Sequence, residues 1–176
     1  ARVREFETAW AARMQARHCI ATSSGTTALL TALGALNLGP GDEVILPPYT
    51  FVATFNAITA SFALPVFADT DAASFQIDPA RMAAAITPAT KLLLPVHIAG
   101  TPADLDALTA LAQSRGLTLL EDANRSFDVL VIRTSTALPY SSVFIELQPG
   151  YWDVDSETRL RDKIERERLQ KIVRPL

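Results

Sequence analysis

One cysteine, two histidines and three lysines in 176 residues set the first limits on this chain. Cys19 alone cannot close an internal disulfide, and a single thiol beside His18 and His97 does not supply the dense ligand set of a zinc site. A reducing, cytoplasmic location is the expectation that follows. Excess charge of either sign is also lacking: 16 Lys and Arg against 19 Asp and Glu leave a net charge of −3. No basic run of the kind that grips phosphodiester backbones crosses the apolar segments, so nucleic acid is not an expected partner. A membrane span is missing too. The longest apolar stretch, Phe51 to Ala68, is broken by Thr54, Asn56, Thr59, Ser61 and Pro65 and ended by Asp69, and reads as helix, turn and strand. No basic-then-apolar leader opens the chain, and its first residue is Ala rather than Met, the expectation for a fragment or a processed product. Neither Gly-x-Gly-x-x-Gly, nor a phosphate loop ending in Gly-Lys-Ser/Thr, nor Gly-x-Ser-x-Gly occurs where a strand gives way to a helix.

What is present is an apolar, evenly punctuated chain, 49% hydrophobic and 20% charged, long enough for one domain with a core. Val3, Phe6, Trp10 and Met14 recur at helical spacing and predict a first helix from about Arg2 to Ala16. Strands are expected at His18 to Ala21, Glu43 to Leu46, Pro65 to Ala68, Lys91 to Val96 and Leu117 to Glu121. Helices are expected at Thr26 to Leu36, Phe51 to Phe62, Pro79 to Ile86 and Pro102 to Ser114. Strands alternating with helices imply an α/β fold, a mostly parallel sheet flanked by helices. Composition shifts near Phe127. Beyond it, Asp128 to Arg133 and Ser142 to Leu147 read as strands, with Leu138-Pro139 and Pro149-Gly150 as turns. Ser156 to Val173 reads as a charged surface helix, with a partner-binding or coiled-coil helix as the alternative.

Chemistry is concentrated in Ile20-Ala-Thr-Ser-Ser-Gly-Thr-Thr-Ala-Leu-Leu30, where a strand ends in small hydroxyl residues and an Ala/Leu-rich helix begins. The first N–H groups of such a helix have no internal partner and suit a phosphate, Gly25 being expected to allow a tight turn; the plainer reading is an ordinary cap. Phe51 opens another helix after Pro47-Pro48, either as core or as the wall of a pocket. Asp122 follows an apolar strand at its carboxyl end, where open α/β sheets place ligands, or else caps a helix. His97 ends a strand near the same edge and is assigned no role. Asp69 and Asp71 lack further ligands for a metal and read as turn formers.

The order of Ser24-Gly25-Thr26, Gly39-Pro40-Gly41-Asp42-Glu43-Val44-Ile45, Thr50-Phe51-Val52-Ala53-Thr54, Pro65-Val66-Phe67 and Ile77-Asp78-Pro79 resembles the sugar aminotransferases of the DegT type. These are pyridoxal-phosphate enzymes of fold type I. The likeness continues through Ile86-Thr87-Pro88, Pro95-Val96-His97, Gly100-Thr101-Pro102-Ala103-Asp104-Leu105-Asp106 and Glu121-Asp122-Ala123, from about Phe6 to Asp122. It implies that residues 1–127 form part of the family's large domain and 128–176 a divergent tail. It also implies that Gly25, Thr26 and Thr27 hold the phosphate of pyridoxal 5'-phosphate, that Phe51 lies on one face of the pyridine ring, and that Asp122 pairs with the ring nitrogen. Glutamate as amine donor, a keto sugar nucleotide as acceptor and a homodimer when intact are implied as well.

The sequence also departs from the family. Arg125, after Ala123-Asn124, stands where the family has a glutamine beside the cofactor's ring oxygen. The family's Schiff-base lysine, in a downstream Ser-x-x-Lys segment before a Gly-rich stretch, has no counterpart: the lysines are Lys91, Lys163 and Lys171. Lys91 begins a strand, and the other two fall on the charged terminal helix. The expectation is a chain that does not turn over alone, its tail shifted in frame or joined across an omitted stretch. Relatives that dehydrate sugars carry a histidine in the lysine's place, and no histidine follows His97. The alternative of another class is a non-catalytic module that binds a phosphate ligand or a partner.

Overall fold

The computed structural model describes residues 2–13, 16 and 18–123, and, as strands, 129–134 and 142–146. The expected turns at Leu138-Pro139 and Pro149-Gly150, the helix at Ser156 to Val173 and the Arg125 position lie outside the described residues. Helix α1 (Arg2–Arg13) leads to β1 (His18–Thr22), α2 (Gly25–Ala35), β2 (Glu43–Leu46), α3 (Val52–Ala60) and β3 (Leu64–Phe67). Then come α4 (Pro79–Ala84), β4 (Thr90–Leu93), a 3-10 turn at Ile98–Gly100, α5 (Leu105–Arg115), β5 (Thr118–Ala123), β6 (Val129–Thr134) and β7 (Ser142–Glu146). The strands form one sheet in the order β1-β7-β6-β5-β4-β2-β3. Among the described strands only β6 runs against its neighbours, so the sheet is mostly parallel, as expected, and β1 and β5 point the same way.

Central strands are buried on both faces, and successive side chains go to opposite sides. Val44, Leu46, Leu92, Leu94 and Leu120 meet α2 and α3 through Leu29, Leu33 and Ile58. Their neighbours in sequence, Ile45, Leu93 and Leu119, meet α4 and α5 through Met82, Leu108 and Ala112. The sheet is thus the shared wall of two cores.

Local chemistry fixes where elements begin and end. Asp78 caps α4 by accepting from the Ala80 amide, with Pro79 at the first helical position. Asp104 accepts from the Ala107 amide and starts α5 at Leu105 rather than at the expected Pro102, and Gly116, left-handed at φ 64°, ends it. Strand β4 stops at Leu93, short of the expected Val96. Leu94 still donates to the Ile45 carbonyl at 2.8 Å, but Pro95 has no N–H to continue the ladder. Gly41 (φ 92°) closes the turn into β2, where the Gly39 amide donates to Asp42 Oδ2 at 3.0 Å.

Each sheet edge is protected differently. Strand β3 holds Pro65, a residue sheets tolerate at an edge. On the other edge α1 packs along β1, and the Ala21 amide donates to Glu7 Oε1 at 2.9 Å, so a side chain takes an edge donor. Beneath that helix Cys19 is buried. Burial pushes its thiol up from the ordinary 9.0 to about 12, and the Glu7 carboxylate adds to the shift. In the unfolded chain the thiol ionises first, so its contribution to stability is whole below about pH 9 and is lost as pH rises toward 12. Urea midpoints at about pH 8 and about pH 10.5 are expected to fall further for the natural chain than for Cys19→Ala; equal falls would contradict this.

Candidate functional site

Strand β1 delivers the chain at the carboxyl edge of the sheet, and α2 begins after two intervening residues. Ser24, extended at φ −166° and ψ 160°, is its N-cap. Its Oγ accepts from the Thr27 amide at 3.1 Å, and its own amide donates to Thr27 Oγ1 at 3.0 Å. This reciprocal capping box commits both polar groups of Thr27, whose hydroxyl donates to the Ser24 carbonyl at 2.8 Å. Thr26 is exposed at the second helical position, and no bond among the described residues engages its hydroxyl. Gly25, expected to allow a tight turn, is a buried first helical residue whose φ is not positive.

The second part of the site comes from α3 and from β5, three strands along the sheet from β1. Phe51 is the N-cap of α3, and its side chain is 58% exposed rather than in the core. Asp122 is 4% exposed. Expected just past its strand, it lies inside β5, opposite Leu130 of β6 and bridged to Val96 on the other side. Asp122 donates its amide to the Pro95 carbonyl at 2.9 Å and accepts from the His97 amide at 2.9 Å. Its carboxylate Oδ2 accepts from Thr54 Oγ1 at 2.7 Å, and Thr54 Oγ1 contacts Thr50 Oγ1 at 2.9 Å. Phe51 and Asp122 are therefore joined through the first turn of α3. The start of α2 lies at the same edge of the sheet, and α2 packs on α3. Thr50 and Thr54 have no role assigned from the sequence; Thr50 precedes the Phe51 N-cap and Thr54 lies in the first turn of α3, so no helical periodicity pairs them.

His97 proves structural. Its Nδ1 accepts from the Ala103 amide at 3.1 Å, so the ring proton sits on Nε2, which faces Glu121 Oε2 at 3.3 Å. Both side chains are buried, and together they pin the 3-10 turn to the sheet. Asp71 forms a turn, as expected, accepting from the Ser74 amide at 2.8 Å and the Ala73 amide at 3.1 Å. The Ser74 amide, then its hydroxyl, hold the Asp71 carboxyl below its usual range. Asp69 pairs with Arg81 at 2.8 Å. Among the described residues no three His, Cys, Asp or Glu converge on a metal position.

Lys91 is exposed at the start of the β4 run. It precedes Val96, the residue beside Asp122, by five positions, about 17 Å at ~3.3 Å per residue. That places it at the amino edge, beyond the reach of its side chain to the carboxyl edge. Replacing His97 by Ala strands the Ala103 amide inside the protein and is expected to cost about 1–3 kcal/mol, seen as a lower urea midpoint at constant slope.

Comparison with known proteins places this geometry. The spore coat polysaccharide biosynthesis protein SpsC of Bacillus subtilis is 49% identical over 122 residues, 69% of this chain and 31% of its own length. GDP-perosamine synthase of Caulobacter vibrioides is 44% identical over 119 residues, 68% of this chain and 32% of its own. Among solved structures, S. venezuelae DesV in complex with a ketimine intermediate superposes with a TM-score of 0.70 at 41% identity, covering 73% of this chain and 35% of DesV. The chain thus spans about a third of the length of the relatives it matches. With residues 1–130 matching the family's profile, the chain belongs to the DegT/DnrJ/EryC1/StrS aminotransferase family.

Proposed function

We propose that residues 1–127 carry the phosphate and ring-binding part of the large domain of a pyridoxal-phosphate-dependent sugar aminotransferase, with 128–176 as a divergent segment. The carrying observation is the 2.7 Å bond that ties buried Asp122 to the helix opened by exposed Phe51. The donor set suits the cofactor. A helix start with the Thr26 hydroxyl suits a phosphate, and an exposed aromatic ring suits one face of a pyridine. A buried carboxylate suits the protonated nitrogen at its edge. Bound there, the cofactor supplies an electron sink.

In this reading Gly25, Thr26 and Thr27 hold the phosphate, Thr26 through its hydroxyl and Thr27 by stiffening the turn. Phe51 covers the ring and keeps water from that face, while Asp122 holds a proton at the ring nitrogen. A nucleotide-linked keto sugar and glutamate are the proposed substrates, and the cytoplasm the proposed location. Among the described residues no helix is long and apolar enough to cross a membrane. The exposed apolar side chains of Tyr49, Phe51, Val52, Leu64 and Phe67 support a homodimer that covers them. Lys91, at the opposite edge, takes no part, so these residues bind and orient without the lysine that amine transfer needs. That leaves the second reading, a non-catalytic phosphate-ligand module, as the one favoured by the lysine's position.

Titration with pyridoxamine 5'-phosphate separates the two, because that ligand requires no lysine. Saturable binding, competed by inorganic phosphate and weakened about tenfold by Phe51→Ala, is the expected outcome. Binding of inorganic phosphate alone with equal affinity, indifferent to Phe51→Ala, would favour the phosphate module. Borohydride treatment with pyridoxal 5'-phosphate is expected to label no lysine stoichiometrically.

A further inference from the structure

We propose that Thr54 is the positioning residue for Asp122, the end of a directed chain of hydroxyls that holds the carboxylate to the helical turn opened by Phe51; this rests on the pocket reading above. Hydroxyls on helices in this fold ordinarily bond back to their own backbone. Thr31 donates to the Thr27 carbonyl at 2.7 Å, Thr59 to Asn56 at 3.0 Å and Ser61 to Ala57 at 2.9 Å. Thr54 does not. Its hydroxyl leaves the helix and reaches a residue 68 positions away at 2.7 Å, between two buried side chains.

Proton direction follows from counting. A hydroxyl has one proton, and that of Thr54 is spent on Asp122 Oδ2. In the 2.9 Å contact with Thr50 Thr54 is therefore the acceptor, and it lies nearer the Thr50 hydroxyl than the other acceptor there, the Phe51 carbonyl at 3.5 Å. Each bond in such a chain polarises the next, running from half-buried Thr50 to the buried carboxylate. Packing does not require the hydroxyl, since the buried neighbours of Thr54 on α3 are Ala53, Ala57 and Ile58, and valine has the same shape. A buried hydroxyl costs desolvation, and here its bond is made to Asp122. Threonine's branched Cβ restricts its rotamer, and the Thr54 amide donates to the Phe51 carbonyl at 3.1 Å. One helical turn thus carries Phe51 at its start and holds the carboxylate of Asp122.

The test is nuclear magnetic resonance of the 176-residue chain with pyridoxamine 5'-phosphate labelled with nitrogen-15 in the ring. Nitrogen reads the Asp122 end and phosphorus-31 the α2 end. Thr54→Val is expected to move the ring-nitrogen resonance and weaken binding about five- to tenfold, the worth of roughly one hydrogen bond, with the phosphorus resonance unmoved. Thr54→Ser is expected to restore both to the natural values. Thr50→Val, one bond removed, is expected to give a smaller nitrogen shift in the same direction, and it reads the chain even where Thr54→Val disturbs folding. In an Asp122→Asn background Thr54→Val is expected to add nothing. An unmoved nitrogen resonance in Thr54→Val, or equal shifts of nitrogen and phosphorus, overturns the positioning role while leaving the pocket. No saturable binding by the natural chain overturns the pocket and the positioning role together.

Discussion

Burial of the central strands on both faces is the constraint from which the rest of this structure follows. Because β2, β4 and β5 alternate their side chains between two helical layers, neither face is left to solvent. Polar function has to collect where strands end. At the carboxyl edge the backbone of β1 turns into α2 and β2 leads toward α3, and β5 carries its last acidic pair, Glu121 and Asp122, to opposite tasks. Glu121 turns to His97 and holds a loop, whereas Asp122 turns to Thr54 and α3. Two adjacent carboxylates are separated in role by the same alternation that divides Leu119 from Leu120.

Most of the fold was legible because its punctuation is chemical. Pro79 after Asp78, Gly116 after Arg115, and Gly39-Pro40-Gly41-Asp42 before an apolar run state helix starts, helix stops and a turn in the residues themselves. Errors fell where a side chain or a missing N–H decides the boundary. Asp104 captures the Ala107 amide and delays α5, while Pro95 ends a ladder that the apolar pattern alone extends. Strands buried on both sides show no polar alternation, so the facing of Val44 against Ile45 could not be read from pattern.

The site was legible in its parts rather than in its wiring. Gly25, Thr26, Phe51 and Asp122 stand out by position after strands and by family likeness. Local geometry shows that the Thr27 hydroxyl belongs to a capping box with Ser24, which spacing alone suggests but does not require. Contact between Thr54 and Asp122 spans 68 positions and joins elements that only the sheet order brings together. No periodicity in one sequence encodes such a pairing, because it depends on β4 and β2 lying between β5 and the edge.

Strand order also has a consequence in time. Strand β1 is the first of the described strands in chain order, yet its partner in the sheet is β7, the last of them. Until β7 is made, β1 has α1 and α2 for company but no ladder, and the turn at Ser24 that opens α2 hangs from an unanchored strand. Contacts so distant in sequence form slowly, since the intervening loop must be closed before they contribute. The part of the site nearest the amino terminus is therefore the part that the growing chain fixes last.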